Sequence, residues 1–227
     1  IRIKRINQTG FHMECSNTMT LTARIEEIVR LVPTCERVVD VGTDHALVPI
    51  ALLSRNIARC AVGIDKSSLP LDQAKVNRHN AQVVDRLQLV CADGLEVEKL
   101  HAQDVVVMAG MGGRTMQQVL ETSDWKGTLV LQPNRDVSRL REWLSENGWY
   151  SDVENIILDN KQYFWTSRWC RGHKPTSEME LEFGVQTHVL SRVVFTAWFV
   201  KEYTRLKRLP LQAIERQKMP LYDEMAN

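Results

Sequence analysis

A chain of 227 residues has room for one full α/β domain and a small appendage around a substantial core. Its composition, 44% hydrophobic and 25% charged, excludes wholesale disorder, and a formal net charge of +1 gives no global field for a polyanion. Any basic surface therefore has to be local. No apolar run approaches the thickness of a bilayer and no secretory leader is read, so the expectation is a cytoplasmic protein without a membrane partner. The five cysteines, Cys15, Cys35, Cys60, Cys91 and Cys170, are scattered without a Cys-x-x-Cys pair. They read as reduced core thiols, and no metal is expected.

In chain order, residues 1–16 show no period and stay unassigned, with His12-Met13 read as a junction and the native start at Met13. Leu21, Ile25, Ile28, Val29 and Val32 recur at helical spacing, which predicts a helix over 20–32 stopped by Pro33. "RVVDVG" (37–42) reads as a buried strand, and "ALVPIALLSRN" (46–56) as a helix that admits Pro49 in its first turn. Strands follow at 60–65, 87–93, 104–110 and 128–133, with helices between them. A helix over 137–148 presents Leu140, Trp143 and Leu144 on one face and stops at Gly148. Two strand-like runs then flank Asp159-Asn160-Lys161, which suggests an antiparallel hairpin. From about Thr187 the chain reads as helical and basic, broken at Pro210. The alternation predicts a mostly parallel seven-stranded sheet with helices on both faces, over 17–175, and a small helical region over 176–227.

Open sheets of this kind bind ligands at the carboxyl ends of their strands. The residues there are Asp40-Val41-Gly42-Thr43-Asp44-His45, Asp65-Lys66, Asp93-Gly94, Ala109-Gly110-Met111-Gly112-Gly113 and Gln132-Pro133-Asn134. A dinucleotide site wants Gly-x-Gly-x-x-Gly, so that a pyrophosphate meets bare backbone N–H groups. "DVGTDHALV" instead has one glycine and two further acids, which would repel a pyrophosphate. The acids suit a cationic ligand with free hydroxyls, such as S-adenosylmethionine. Asp65 then accepts from the ribose hydroxyls and Asp93 lies near the adenine edge. Each acid alone also reads as a helix cap or turn residue. Together they favour a Rossmann-like class I methyltransferase.

"DVGTDHALVP", "GID", "ADGL", "AGMGG", "LQPN" and "LREWL…GW" occur in that order. Over residues 20–165 the chain thereby resembles the bacterial tRNA (adenine-22, N1)-methyltransferases. That resemblance implies transfer of a methyl group from S-adenosylmethionine to N1 of adenine 22 in the D-arm of tRNA. A monomer is expected. Asp40, Gly42, Asp65, Lys66, Asp93, Gly94 and Ala109 would hold the cofactor, and Gly110, Met111, Gly112 and Gly113 would border the transfer site. The chain departs from the family where Leu47 replaces a tyrosine and where Phe164 replaces an acid.

Adenine N1 carries a free lone pair, so the reaction needs alignment rather than a general base. Glycines suit a flat base lying against bare backbone. Asp44 fits either a developing cationic product or the methionine ammonium, and His45 either the base or a cap. Asn134 and Tyr163 are substrate candidates. So is the basic stripe of Arg205, Lys207 and Arg208, interleaved with Trp198, Phe199 and Tyr203, as a phosphate-tracking surface or simply a solvated helix face. Two other functions stay open: methyl transfer to another RNA or a small molecule, and non-catalytic binding of cofactor and RNA.

Overall fold

The computed structural model describes residues 20–96, 99–184, 189–210, 213 and 217–226. The unassigned segment 1–16 lies outside them. Helix α1 (Ala23–Leu31) starts where the Thr22 hydroxyl accepts from the Ile25 N–H, and it buries Ile25, Ile28, Val29 and Leu31. Strand β1 (Cys35–Val41) follows, then α2 (Leu47–Ser54), apolar on all sides and buried from Val48 to Leu53. Then come β2 (Ala58–Asp65), α3 (Ser68–Asn80), β3 (Leu87–Cys91), β4 (Val105–Ala109), α4 (Gly113–Glu121), β5 (Thr128–Gln132) and α5 (Val137–Glu146). Each strand ends within two residues of its predicted carboxyl boundary, so the polar residues after it stand where the sequence placed them.

The sheet order is β3-β2-β1-β4-β5-β7-β6, with β6 at Trp149–Asp159 and β7 at Gln162–Arg171. Strands β1 to β5 pair in parallel, but β7 runs antiparallel to both β5 and β6. The sheet is therefore mixed, which corrects the mostly parallel expectation at one edge. The cause is the tight turn at Asn160-Lys161, both left-handed (φ 47° and 65°), which reverses the chain directly into its neighbour. The order reverses between β1 and β4, and this switch point opens a crevice at their carboxyl ends.

Side chains alternate across the sheet. Val38 and Val107 join the apolar cluster under α1 and α2, whereas Val39, Val41, Val106 and Met108 join the one under α4 and α5. A third cluster belongs to α6 (Glu178–Phe183), α7 (Val189–Lys207) and α8 (Met219–Ala226), where Phe183, Phe199 and Tyr222 are buried together. Trp165 of β7 joins it to the sheet through edge-on contacts with Phe195 and Trp198. Among the described residues no helix is long and apolar enough to cross a membrane, and no group of acids, histidines and cysteines is placed to hold a metal. The four described cysteines are unpaired. None is fully buried in the core as expected: Cys91 is exposed and Cys35, Cys60 and Cys170 are half-buried, with Cys35 packed against the edge of the core under α1 and α2.

Candidate active site

The loop leaving β1 builds one side of the site. Gly42, Asp44 and Ala46 all take left-handed backbone (φ 74°, 49° and 58°), so the chain coils tightly before α2. The Gly42 and Thr43 N–H groups both donate to the Ile64 carbonyl, at 2.8 and 2.9 Å, which pins the loop to the end of β2. The next residue, Asp65, accepts from the Asp44 N–H at 3.0 Å and from the Ser67 N–H at 2.9 Å. Asp40 is buried and accepts from the Thr43 hydroxyl at 2.7 Å. Burial pushes its carboxyl up to about 7; the Thr43 hydroxyl opposes that rise and the charge of Asp65 adds to it. Asp44 and His45 stand exposed on the rim, their side chains 3.8 Å apart. These residues, with Arg24, Ile25, Ala109 and Gly110, line a cleft of about 350 Å³.

The β4 loop closes the other side. A Cβ on Gly42 would come within 2.7 Å of Met111 Cε, so the β1 and β4 loops are in contact. Gly110 and Met111 are tied to β5: the Gly110 N–H donates to the Gln132 carbonyl at 3.0 Å, and the Asn134 N–H to the Met111 carbonyl at 2.8 Å. A side-chain relay runs alongside. Arg24 Nη1 donates to Gln132 Oε1 (3.0 Å), Gln132 Nε2 to Asn134 Oδ1 (3.1 Å), and Asn134 Nδ2 to the Gly110 carbonyl (2.6 Å). Gly112 and Gly113 have a different neighbourhood. A Cβ on Gly113 would meet the Asp136 carbonyl oxygen at 2.7 Å, and one on Gly112 would meet Arg135 Nε at 2.9 Å. The bareness of Gly113 answers to the backbone of the β5–α5 loop, a steric cause other than a flat ligand, whereas the neighbour of Gly112 is the exposed Arg135 side chain, which can move aside.

A second cleft of about 720 Å³ adjoins the first and shares Arg24 with it. Asn134, Tyr163, Phe164, Trp198 and Lys201 line it, together with the β6–β7 turn. Asn134 and Tyr163, singled out from the sequence, therefore stand in one place. Arg205, Lys207 and Arg208 do not reach either cleft. Arg205 pairs with Glu202 at 2.6 Å, and Lys207 lies 4.1 Å above the Tyr203 ring. The aromatics expected between these basic residues mostly face inward: Phe199 stacks on Tyr203 and Tyr222. Lys66, Asp93 and Gly94 are not among the residues lining the smaller cleft. Asp93 is exposed beyond the end of β3, whose short strand leaves that acid outside the β1–β4 crevice.

Arg24, Thr43 and Gln132 belong to the site but carried no distinguishing signal. Thr43 sat inside a motif read for its acids. Gln132 stands in the sequence at a ligand-facing strand end with no role of its own, and Arg24 reads as any solvated arginine on an amphipathic helix.

A mixed seven-stranded sheet whose order reverses between β1 and β4, with an acid at the carboxyl end of each of β1 and β2, has the form of a Rossmann-like methyltransferase domain. The methyltransferase-domain family matches residues 21–166, and the chain belongs to it. The kinship read from the AGMGG and LQPN motifs is borne out by a curated relative, the tRNA (adenine(22)-N(1))-methyltransferase of Bacillus subtilis, which is 29% identical over 147 residues. That match takes in 63% of this chain and 61% of the relative, so the chain spans less than two thirds of the relative's length. Among solved structures, Streptococcus pneumoniae Sp1610 in complex with S-adenosyl-L-methionine superposes with a TM-score of 0.81 at 25% identity, covering 92% of this chain and 100% of that one. M. capricolum TrmK, bound to S-adenosyl-homocysteine, shares the fold at 20% identity, with a TM-score of 0.80 over 90% of this chain and 97% of its own.

Proposed function

We propose that this protein transfers a methyl group from S-adenosylmethionine to N1 of adenine 22 in tRNA. The observation that carries the reading is the junction of the two clefts at Arg24, beside Gly110 and Asn134. It sets an acid-lined site of cofactor size next to a larger one lined by Tyr163, Phe164 and Trp198.

The donor set fits the cofactor. Asp65 keeps acceptor capacity for ribose hydroxyls after its two backbone bonds, and Asp40 and Asp44 suit a cationic ligand. When bound, S-adenosylmethionine supplies a methyl group activated by the adjacent sulfonium. The protein need not remove a proton from adenine N1, so its residues work by binding, alignment and charge. Taking the base out of its stack costs a few kcal/mol, and the aromatic wall of Tyr163, Phe164 and Trp198 offers it new stacking partners. Asn134, fixed between Gln132 and the Gly110 carbonyl, keeps the β4 loop in one conformation at the junction. The exposed carboxylate of Asp44 favours the cationic product. Residues 17–175 form the catalytic part in this reading, with Lys66, Asp93 and Gly94 as an outer rim of the cofactor site. Residues 176–227 face tRNA, with Lys207 at the end of α7 and Arg208 just beyond it, both exposed for phosphate contact.

The reading is tested with labelled cofactor and two tRNA transcripts that differ at position 22. Incorporation into the adenine-22 transcript and at most one hundredth of it into the guanine-22 transcript is expected. Equal incorporation into both would overturn it.

A further inference from the structure

The two clefts differ in charge. Asp40, Asp44 and Asp65 line the smaller one without a lysine, and such an acidic wall disfavours a phosphate. The larger one carries Lys161 and Lys201 beside Arg24, against Asp159 and Glu202. Both of those acids are already engaged. Asp159 accepts from the Arg24 N–H at 3.4 Å, and Glu202 pairs with Arg205, outside the lining, at 2.6 Å. Lys161 and Lys201 are exposed and form no ion pair among the described residues. Two uncompensated ammonium groups are thus left at the larger cleft.

The fold places both of them. Lys161 sits in the tight turn between β6 and β7, where it and Asn160 take left-handed backbone (φ 65° and 47°). Lys201 is on α7, its Nζ 5.4 Å from the centre of the Tyr163 ring, which keeps the ammonium at the aromatic wall. Neither lysine lines the smaller cleft, whereas Asn134 is bonded to the Gly110 carbonyl at the junction of the two. A nucleotide with its base at that junction has its sugar and phosphates directed away from the acids, toward the two lysines. Lysine suits the task, because a point charge on a flexible stem meets phosphate without a fixed bidentate geometry. We infer that Lys161 and Lys201 bind the backbone phosphates flanking the extruded nucleotide, so that the larger cleft holds its substrate by charge as well as by stacking. This rests on the tRNA reading above.

The test compares unmodified tRNA with tRNA carrying neutral methylphosphonate linkages on both sides of adenine 22, by filter binding over a range of salt. A contact between exposed charges is worth up to about fivefold in affinity, and two together about tenfold. Wild type is expected to bind the neutral-linkage tRNA about tenfold more weakly. The double variant Lys161→Gln/Lys201→Gln should lose about as much on unmodified tRNA and then hold the two tRNAs within twofold of each other. Its plot of log affinity against log salt should flatten by about 1.4, the share of two single-stranded phosphates. Lys161→Arg/Lys201→Arg, which keeps both charges, should restore the discrimination. Wild type that binds both tRNAs alike, or a glutamine variant that discriminates as strongly as wild type, would overturn the assignment. Failure of wild type to methylate adenine 22 of the unmodified tRNA would instead overturn the functional reading, so the two failures are distinguishable.

Discussion

Asp40 shows how one buried carboxylate ties stability to ligand binding. Its carboxyl titrates at about 7 in the fold because burial disfavours the charged form, against about 3.9 for an unperturbed aspartate. Between pH 4 and 7 the native state therefore holds a proton that the unfolded chain has released. Stability of the free protein falls as pH rises through that window. If the cleft takes the cationic cofactor as proposed, the ligand favours the ionised form, so binding is expected to release a proton near neutrality and to tighten as pH rises through 7. Asp40→Asn keeps an acceptor for the Thr43 hydroxyl and removes the charge. Its melting temperature without ligand is expected to exceed that of wild type at pH 8 and to match it more closely at pH 5, while its affinity for cofactor drops at least tenfold. A variant that melts below wild type at pH 8 would show that the buried charge is not the destabilising element.

At the scale of elements, the joint between the sheet and the C-terminal helices rests on a buried ion pair. Arg141 of α5 and Glu154 of β6 lie 2.8 Å apart with side chains 4% and 3% exposed. Arg141 also donates to the Leu181 and Glu182 carbonyls at the end of α6 and covers the Trp165 ring. One guanidinium thereby satisfies the last turn of α6 and links it to two other elements. Removing one partner strands a charge, so Glu154→Leu is expected to cost about 3–5 kcal/mol in urea unfolding. Adding Arg141→Met should recover only part of it, because the Leu181 and Glu182 carbonyls then lose their donor. A double variant as unstable as the single one would mean that the stranded charge is not what set the loss.

The same joint marks the limit of what the sequence discloses. Helix α5 was legible from Leu140 and Leu144, but nothing in its period marked Arg141 as buried, because its partners lie in β6 and α6. Helix α6 falls inside the helical region expected over 176–227 but has no bounds of its own there, although Ser177 and Glu180 form a capping box, a local signal of its start. The aromatics of α7 looked like companions of the basic stripe because polarity on a helix is visible in sequence, whereas the direction of its neighbours is not. The site divides in the same way. Asp40, Gly42 and Asp65 could be found because each follows an apolar strand, while Arg24 and Gln132 take their meaning from contacts 108 residues apart in the chain.

The whole molecule sets an aromatic-lined cleft of about 720 Å³ beside an acid-lined one of about 350 Å³ at the switch point of the sheet. In the proposed function the larger cleft receives a nucleoside out of its stack, and the curated relative from Bacillus subtilis is a tRNA (adenine(22)-N(1))-methyltransferase. A methyl group at N1 blocks the Watson–Crick edge and halts primer extension, and in alkali it migrates to the exocyclic amine, which removes the block. Primer extension across tRNA treated with the protein and S-adenosylmethionine therefore reads the proposed reaction at its product. The account predicts one new stop, at adenine 22, that disappears after alkaline treatment. Methylated tRNA with no stop at that position, or a stop that survives alkali, would contradict it.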